Sequence, residues 1–458
     1  MTGSARKVAV AALGAWVALV VVGWLLDGPL GHDEAAYAIG GEALLRGEPS
    51  PWLYRSVGMH AVAAVGVAAG GADLVLRLPA VVLAIGFAFA VYHAGRRMLG
   101  ATAGAWGVAI VVGMHGLALR AHQLESDLPS TACLLLGTTT IVTELERDAG
   151  PRWRMLAAAP WLAAAFYLRY ASCVPIALVG GLAMVVWWRA LLARPLPVLA
   201  TAAALAALLA PHAAQAIAET GSPSGIITFS AGVPRRDYVG QGLVSYVTEN
   251  PFIGYGVLAV PVVIAGLGAI AVRPARATCF LWLVAVGQVV ALGLVSHATP
   301  RYIYFALTLL VLLGVHVIAL VAGRGSWRIG ARVPFVLVVL AWSGVLVTTI
   351  WRSQREDWRA PVVEAAALVG TDARGRPCHV VSRRFAQVMW YSKCGAGDQT
   401  VPGDKLERGE IVYRVWVRRS PGTPELVSVP EATPVPLAIV ELGAVPGRYE
   451  VHRITRRE

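Results

Sequence analysis

Charge is scarce along this chain. Of 458 residues, only 14% are Asp, Glu, Lys or Arg and 57% are apolar. Soluble globular domains carry about 25% charged residues, so a soluble enzyme is excluded, and so is a disordered linker. Five cysteines are too few and too scattered for a disulfide-stapled scaffold. No CxxC, HExxH or Walker-type motif occurs, and no GxGxxG in the strand–turn–helix context that would give it meaning. Heptads and solenoid repeats are missing as well. What remains is a chain built on long apolar runs.

Val8 to Leu26 is nineteen residues without a charge, enough to cross a hydrocarbon core of about 30 Å as a helix. A cleaved signal peptide is the competing reading. It fits less well, because the run exceeds the usual ~7–15 apolar residues and many similar runs follow. Those runs are 8–26, 77–95, 101–119, 128–143, 155–168, 173–188, 196–217, 253–272, 277–296, 302–322 and 333–350. A net charge of +12 invites a nucleic-acid partner, but its distribution argues against one. With Arg6 and Lys7 in the cytoplasm, alternation of the runs puts 14 of the 22 basic residues before position 351 on that side, in short loops. Of the 14 acids in the same region, only Glu144, Glu146 and Asp148 join them. This is the positive-inside pattern. It predicts a multi-pass protein of the cytoplasmic membrane with its N-terminus in the cytoplasm.

Eleven spans leave the C-terminal part outside. From residue 351 the composition shifts to 17 basic and 13 acidic residues with Pro and Gly breaks. "PCHVVS", "EIVYRVWVRRS", "PLAIVEL" and "RYEVHRI" read as strands, and Trp358 to Val369 as a helix. The expected architecture is an all-α polytopic membrane region over 1–350, with juxtamembrane helices in a first external loop at 27–76. A small extracytoplasmic α/β domain over 351–458 completes it. Cys378 and Cys394 both fall in that domain, where they form a disulfide in an oxidising compartment or remain two thiols. Cys133, Cys173 and Cys279 lie inside spans as ordinary small apolar residues.

The polar residues of interest collect at the outer ends of the spans. "GHDEAAYAIGGEALLRGEPSPW" (31–52) sets Asp33 beside Glu34, then spaces Ala35, Ala36, Ile39, Ala43 and Leu44 as one face of an interfacial helix. Val57 to Ala69 is short and Gly-rich, and reads as a juxtamembrane or re-entrant helix. "LRAHQLESDLPS" carries Arg120, His122, Glu125 and Asp127. "YLRYAS" carries Arg169 and Tyr170, and "SHATPRYIYF" carries His297, Arg301 and Tyr302. Snorkelling arginines and an interfacial tyrosine belt are the plain explanation for any one of these. Taken together, facing a carboxylate-rich loop, they fit a reaction with two needs. An acceptor hydroxyl needs a general base, and a lipid phosphate needs cations that also stabilise it as a leaving group. Arginine suits that phosphate because its planar fork donates two hydrogen bonds. Transfer of a sugar from a polyprenyl-phosphate donor has both needs.

"HDEAAYAIGGEALLRGEP" resembles the first external loop of the GT-C glycosyltransferases, in particular the protein O-mannosyltransferase and aminoarabinose-transferase group. "LVLRLPAVVLAIGFAFAVYHAGRRMLG" resembles that group's second span, "ESDLPS" the start of its fourth, and "TPRYIYFAL" the entry to a late one. The resemblance covers roughly residues 8 to 350. It implies inverting transfer of a monosaccharide from a polyprenyl-phosphate sugar, on the outer face, to a lipid, glycan or protein acceptor. Asp33 matches the family's catalytic aspartate and Glu34 would orient it or share its role, unless both are solvated loop acids. Asp127 would position the acceptor or a divalent cation. Arg301, with Arg169 and Arg55 behind it, would hold the donor phosphate, with Arg120, Tyr170 and Tyr302 completing the binding set. One departure is clear. Where the group usually carries a Lys-Pro-Pro-Leu-like stretch after an acid, this chain reads "PWLYRSVGMHAV". Arg55 stands in the lysine's place, with no prolines following and Glu48 the nearest acid before it. No metal-ligand spacing links His32, His60, His122 and His297. Alternative functions are a ligase or polymerase of lipid-linked glycans, which would not need the Asp-Glu pair, and a transporter or flippase. A transporter would bury charges at mid-membrane rather than gather them on one face.

Overall fold

The structure, a computed structural model, describes residues 3–52, 54–147, 152–231, 238–295, 299–324, 359–382, 384–397, 405, 408, 410–417, 437–445 and 449–456. It divides into two compact units. The first comprises Met1–Leu25, Leu53–Val62 and Arg77–Trp351, and the second Leu26–Trp52, Ala63–Leu76 and Arg352–Glu458.

Helices account for the apolar runs. Among the described residues, six are long and apolar enough to span a membrane: Ser4–Leu26, Asp73–Met98, Asp127–Leu145, Pro195–Thr220, Arg276–Leu294 and Pro300–Ala322. The Pro195–Thr220 helix shows how local chemistry sets the ends. Proline opens it, where a missing N–H costs nothing, and Gly221 closes it at φ 75°, a left-handed cap that a side chain would resist. Other runs are helical but interrupted. The 101–119 run splits into Ala101–Val112 and His115–Arg120, because Met114 turns extended after Gly113. The 253–272 run is four short helical pieces, broken at Gly254, Gly256 and Gly268. Irregular backbone at membrane depth is tolerated where protein buries it or a cavity borders it. The 333–350 run lies outside the described residues.

Packing of the first unit follows membrane rules, in which close van der Waals contact and satisfied polar groups replace the hydrophobic drive. Trp16 donates Nε1–H to the Ala84 carbonyl at 2.8 Å, so its one polar atom is not stranded. Val260–Leu267 and Tyr304–Arg324 approach so closely that a Cβ on Gly314 would strike the Val262 carbonyl oxygen, and one on Gly266 the Leu310 carbonyl oxygen. Glycine is required at both.

In the second unit a five-stranded sheet contains β1 (Cys378–Val381), β2 (Gly395–Gly397), β3 (Ile411–Val417), β4 (Leu437–Val445) and β5 (Tyr449–Arg456), in the order β2-β1-β3-β5-β4. β1 pairs in parallel with β2 and β3, whereas β5 runs antiparallel to β3 and β4. The Ala360–Ala373 helix buries Val362, Ala365, Ala366, Val369 and Ala373, the face expected of a 3.6-residue period, against Val380, Tyr413, Val415 and Val451 of the sheet. A disulfide joins Cys378 to Cys394. The sequence also predicted the helix His32–Leu45, which packs in this unit beside the helix Phe385–Ser392.

Candidate functional site

In the first unit, three chain segments that the sequence flagged separately converge. Asp127 begins the Asp127–Leu145 helix, where the positive end of the helix dipole favours an acid. Arg169 stands at the joint where the Ala158–Leu168 helix gives way to extended backbone (φ −157°, ψ 111°) before the Tyr170–Ser172 turn. Arg301 lies in the 3₁₀ turn Pro300–Ile303, opened by Pro300.

Their side chains form one ionic network. Arg169 pairs with Asp127, whose side chain is only 1% exposed. Arg301 donates through Nη1 to both Glu125 oxygens, at 3.0 and 3.1 Å, and lies 3.9 Å from Asp127 Oδ2. Arg120 Nη1 reaches Glu125 Oε1 at 3.0 Å. The Arg169 guanidinium also stacks over the Tyr302 ring, 4.5 Å from its centroid. Among the described residues, three guanidinium groups thus meet two carboxylates. Desolvating so many charges costs several kcal/mol per ion unless pairing repays it. Such clusters within membrane proteins therefore point to use as well as structure.

The network borders a small recess open to solvent, lined by Asp127, Thr131, Arg169, Gln288, Arg301 and Tyr302, among others. Gln288 comes from the Arg276–Val295 helix and is held by a hydrogen bond from its Nε2 to the Tyr302 carbonyl, 3.0 Å. Arg55 lies beside the same joint by way of its neighbours. Ser56 donates to the Leu168 carbonyl at 2.7 Å, the Val57 N–H donates to the Tyr170 hydroxyl at 3.3 Å, and Arg55 itself stacks over Tyr54 at 5.5 Å.

Of the residues singled out in the sequence, Arg120, Asp127, Arg169, Arg301 and Tyr302 thus come together, with Tyr170 and Arg55 on adjoining turns. Glu125 and Gln288 were given no role in the sequence. Glu125 was visible beside Asp127 in "ESD", and Gln288 is the sole polar side chain between Leu281 and Leu294 apart from Trp282, a signal in itself.

Asp33 and Glu34 belong to the second unit, in the first turn of the His32–Leu45 helix. Asp33 is partly exposed and Glu34 buried. Glu34 Oε2 accepts the Gly31 N–H at 2.7 Å, so this carboxylate caps its own helix. It also lies 3.8 Å from Arg359 Nη1. Among the described residues no three His, Cys, Asp or Glu side chains gather as a metal site. His297 lies outside them.

Residues 58–214 match the dolichyl-phosphate-mannose-protein mannosyltransferase family. No curated protein matches the chain. Among solved structures, it is similar to ArnT from Cupriavidus metallidurans bound to undecaprenyl phosphate, at 14% identity and a TM-score of 0.67 over 99% of this chain and 98% of that one. The apo form of the same protein gives 0.63 at 14% identity, over 96% and 97%. The Archaeoglobus fulgidus oligosaccharyltransferase in complex with zinc and sulfate gives 0.54 at 10% identity, over 83% of this chain and 62% of that one. At such identities the likeness is one of fold. The matched segment spans about a third of the chain, and both it and the shared fold accord with the GT-C resemblance drawn from the sequence.

Proposed function

We propose that the chain transfers a monosaccharide from a polyprenyl-phosphate sugar to an acceptor hydroxyl at the outer face of the cytoplasmic membrane, with inversion. The observation that carries this reading is the arginine–carboxylate network at the recess, where Arg169 and Arg301 line the same space as Asp127. A polyprenyl-phosphate sugar is a phosphodiester with a single negative charge, which guanidinium groups at the recess would bind. As the glycosidic bond breaks, its electron pair passes to the phosphate oxygen and negative charge grows there. Arg301 and Arg169 would stabilise that charge.

Asp33 is the general base in this scheme. Its carboxylate takes the proton of the acceptor hydroxyl, whose oxygen attacks the anomeric carbon from the side opposite the departing phosphate. Glu34 supports it by fixing the helix start. Asp127 holds Arg169, and Arg55, Arg120, Tyr170 and Tyr302 complete the donor-binding set. Two facts support the donor class: the ArnT structure holds undecaprenyl phosphate, and an archaeal oligosaccharyltransferase structure holds dolichol-phosphate with an inhibitory peptide. The acceptor hydroxyl is carried by a lipid, a glycan or a protein. The Cys378–Cys394 disulfide supports an oxidising, extracytoplasmic setting for the C-terminal segment.

The test supplies purified full-length protein in proteoliposomes with radiolabelled polyprenyl-phosphate sugars and, separately, nucleotide sugars, with membrane extract as acceptor. Label should leave the polyprenyl carriers alone, and the product's anomeric configuration should be opposite to the donor's. Transfer from nucleotide sugars only, or with retained configuration, would overturn the proposal.

A further inference from the structure

The start of the helix that carries Asp33 is held by more than packing. Leu30, fully buried, lies before the helix and has no ladder of its own. Both its backbone groups are met by side chains of the Phe385–Ser392 helix. Its N–H donates to the Tyr391 hydroxyl at 2.8 Å, and its carbonyl accepts from Gln387 Nε2 at 2.8 Å. The Tyr391 hydroxyl in turn donates a hydrogen bond to Asp73 Oδ2 at 2.7 Å. Arg359 grips the same stretch from the head of the Ala360–Ala373 helix, reaching Asp27 Oδ1 at 2.6 Å and Glu34 Oε2 at 3.8 Å. The Phe385 ring meets His32 edge-on at 4.9 Å and Trp52 at 5.9 Å. The disulfide partners Cys378 and Cys394 bracket this helix in sequence.

Burying Leu30 with its backbone unpaired would leave the desolvation of its N–H and carbonyl uncompensated. Satisfying it with one glutamine and one tyrosine fixes the position of the chain three residues before Asp33. Packing alone would not demand that geometry. We infer that Gln387 and Tyr391 are positioning residues for the transfer reaction, holding the Leu30–Glu34 turn so that the Asp33 carboxylate meets the acceptor hydroxyl in one orientation. The C-terminal segment thereby takes part in catalysis through the first loop. This rests on the role proposed for Asp33. A general base must come within hydrogen-bond reach of its proton, and displacement by about 1 Å can cost a hundredfold in rate.

The experiment compares full-length parent, Tyr391→Phe and Gln387→Met in proteoliposomes. Phenylalanine keeps the ring, and methionine keeps the length without the donor. Amide exchange over residues 30–37 should quicken in both variants while that over 362–369 stays as in the parent. With the polyprenyl-phosphate sugar that the parent accepts, kcat should fall about 10- to 100-fold and the donor KM should stay within about twofold. Unchanged exchange over 30–37 would overturn the inference, and so would quicker exchange with parental kcat. A fall in kcat joined to a matching rise in KM and quicker exchange over 362–369 would reduce the contacts to general stability and overturn it too. Asp33→Asn, run alongside, separates two failures. Parental transfer in that variant removes the role of Asp33 itself. Lost transfer there, with parental kcat in Tyr391→Phe and Gln387→Met, removes only the positioning role.

Discussion

Replacing Arg301 by methionine removes the guanidinium that bridges Glu125 and Asp127 while keeping most of its volume. Both acids retain another partner, Arg120 for Glu125 and Arg169 for Asp127. The fold should therefore lose less than the ~3–5 kcal/mol typical when a fully buried pair is broken, the more so because the Arg301 side chain is 21% exposed. The donor phosphate loses one or two charged hydrogen bonds, about 1.5–3 kcal/mol. That corresponds to roughly 10- to 150-fold weaker binding of undecaprenyl phosphate. Arg301→Lys restores the charge without the fork and should fall between methionine and parent. The assay is equilibrium binding of undecaprenyl phosphate to the protein in nanodiscs, with melting temperature measured on the same samples. Equal affinity in parent and Arg301→Met, with melting unchanged, refutes a phosphate role for this arginine and leaves the network as scaffold.

Glu34→Gln should retain most transfer, because glutamine also completes the cap on Gly31, whereas Glu34→Ala should loosen the helix start by about 1 kcal/mol. Abolished transfer in the glutamine variant would show that the Glu34 carboxylate acts chemically. Removing both Cys378 and Cys394, which lie 16 residues apart, should lower the opening free energy of β1 and β3 by about 3 kcal/mol, read from amide exchange. Burial, and then the hydrogen bond to Asp372 at 2.7 Å, push the Tyr413 phenol above its ordinary pKa. The folded state therefore keeps a proton that the unfolded state loses, and stability falls as pH rises above about 10. The stability advantage of parent over Tyr413→Phe should shrink over that range, and an advantage constant with pH would contradict the cause given.

The long spans are legible in the sequence because hydrocarbon thickness sets their length and basic residues gather at their ends, as Arg96 and Arg97 do in the last turn of Asp73–Met98. Where glycine interrupts an apolar run, as at Gly254, Gly256 and Gly268, composition still says membrane while backbone geometry says broken helix. Hydropathy alone cannot separate the two. The strands around Tyr413 and Val451 show in their alternation. "GAG" at β2 offers no side-chain pattern, and the eight residues of Phe385–Ser392 are too few to display a period. The arginine network was visible only as scattered charges at span ends. That Arg169, Arg301 and Asp127 meet depends on how distant helices pack, which no local pattern encodes. The capping role of Glu34 has a local signature, an acid three residues after the cap, and it was masked by the more suggestive pairing with Asp33.

Asp33 is proposed to take the acceptor's proton during transfer from a polyprenyl-phosphate sugar. Its most direct test is label transfer by Asp33→Asn against the parent, at matched protein amount and with undecaprenyl phosphate binding measured in parallel. Loss of a general base predicts a fall of about 10²- to 10⁴-fold in kcat with the lipid still bound. Transfer undiminished in the variant would remove Asp33 from that role.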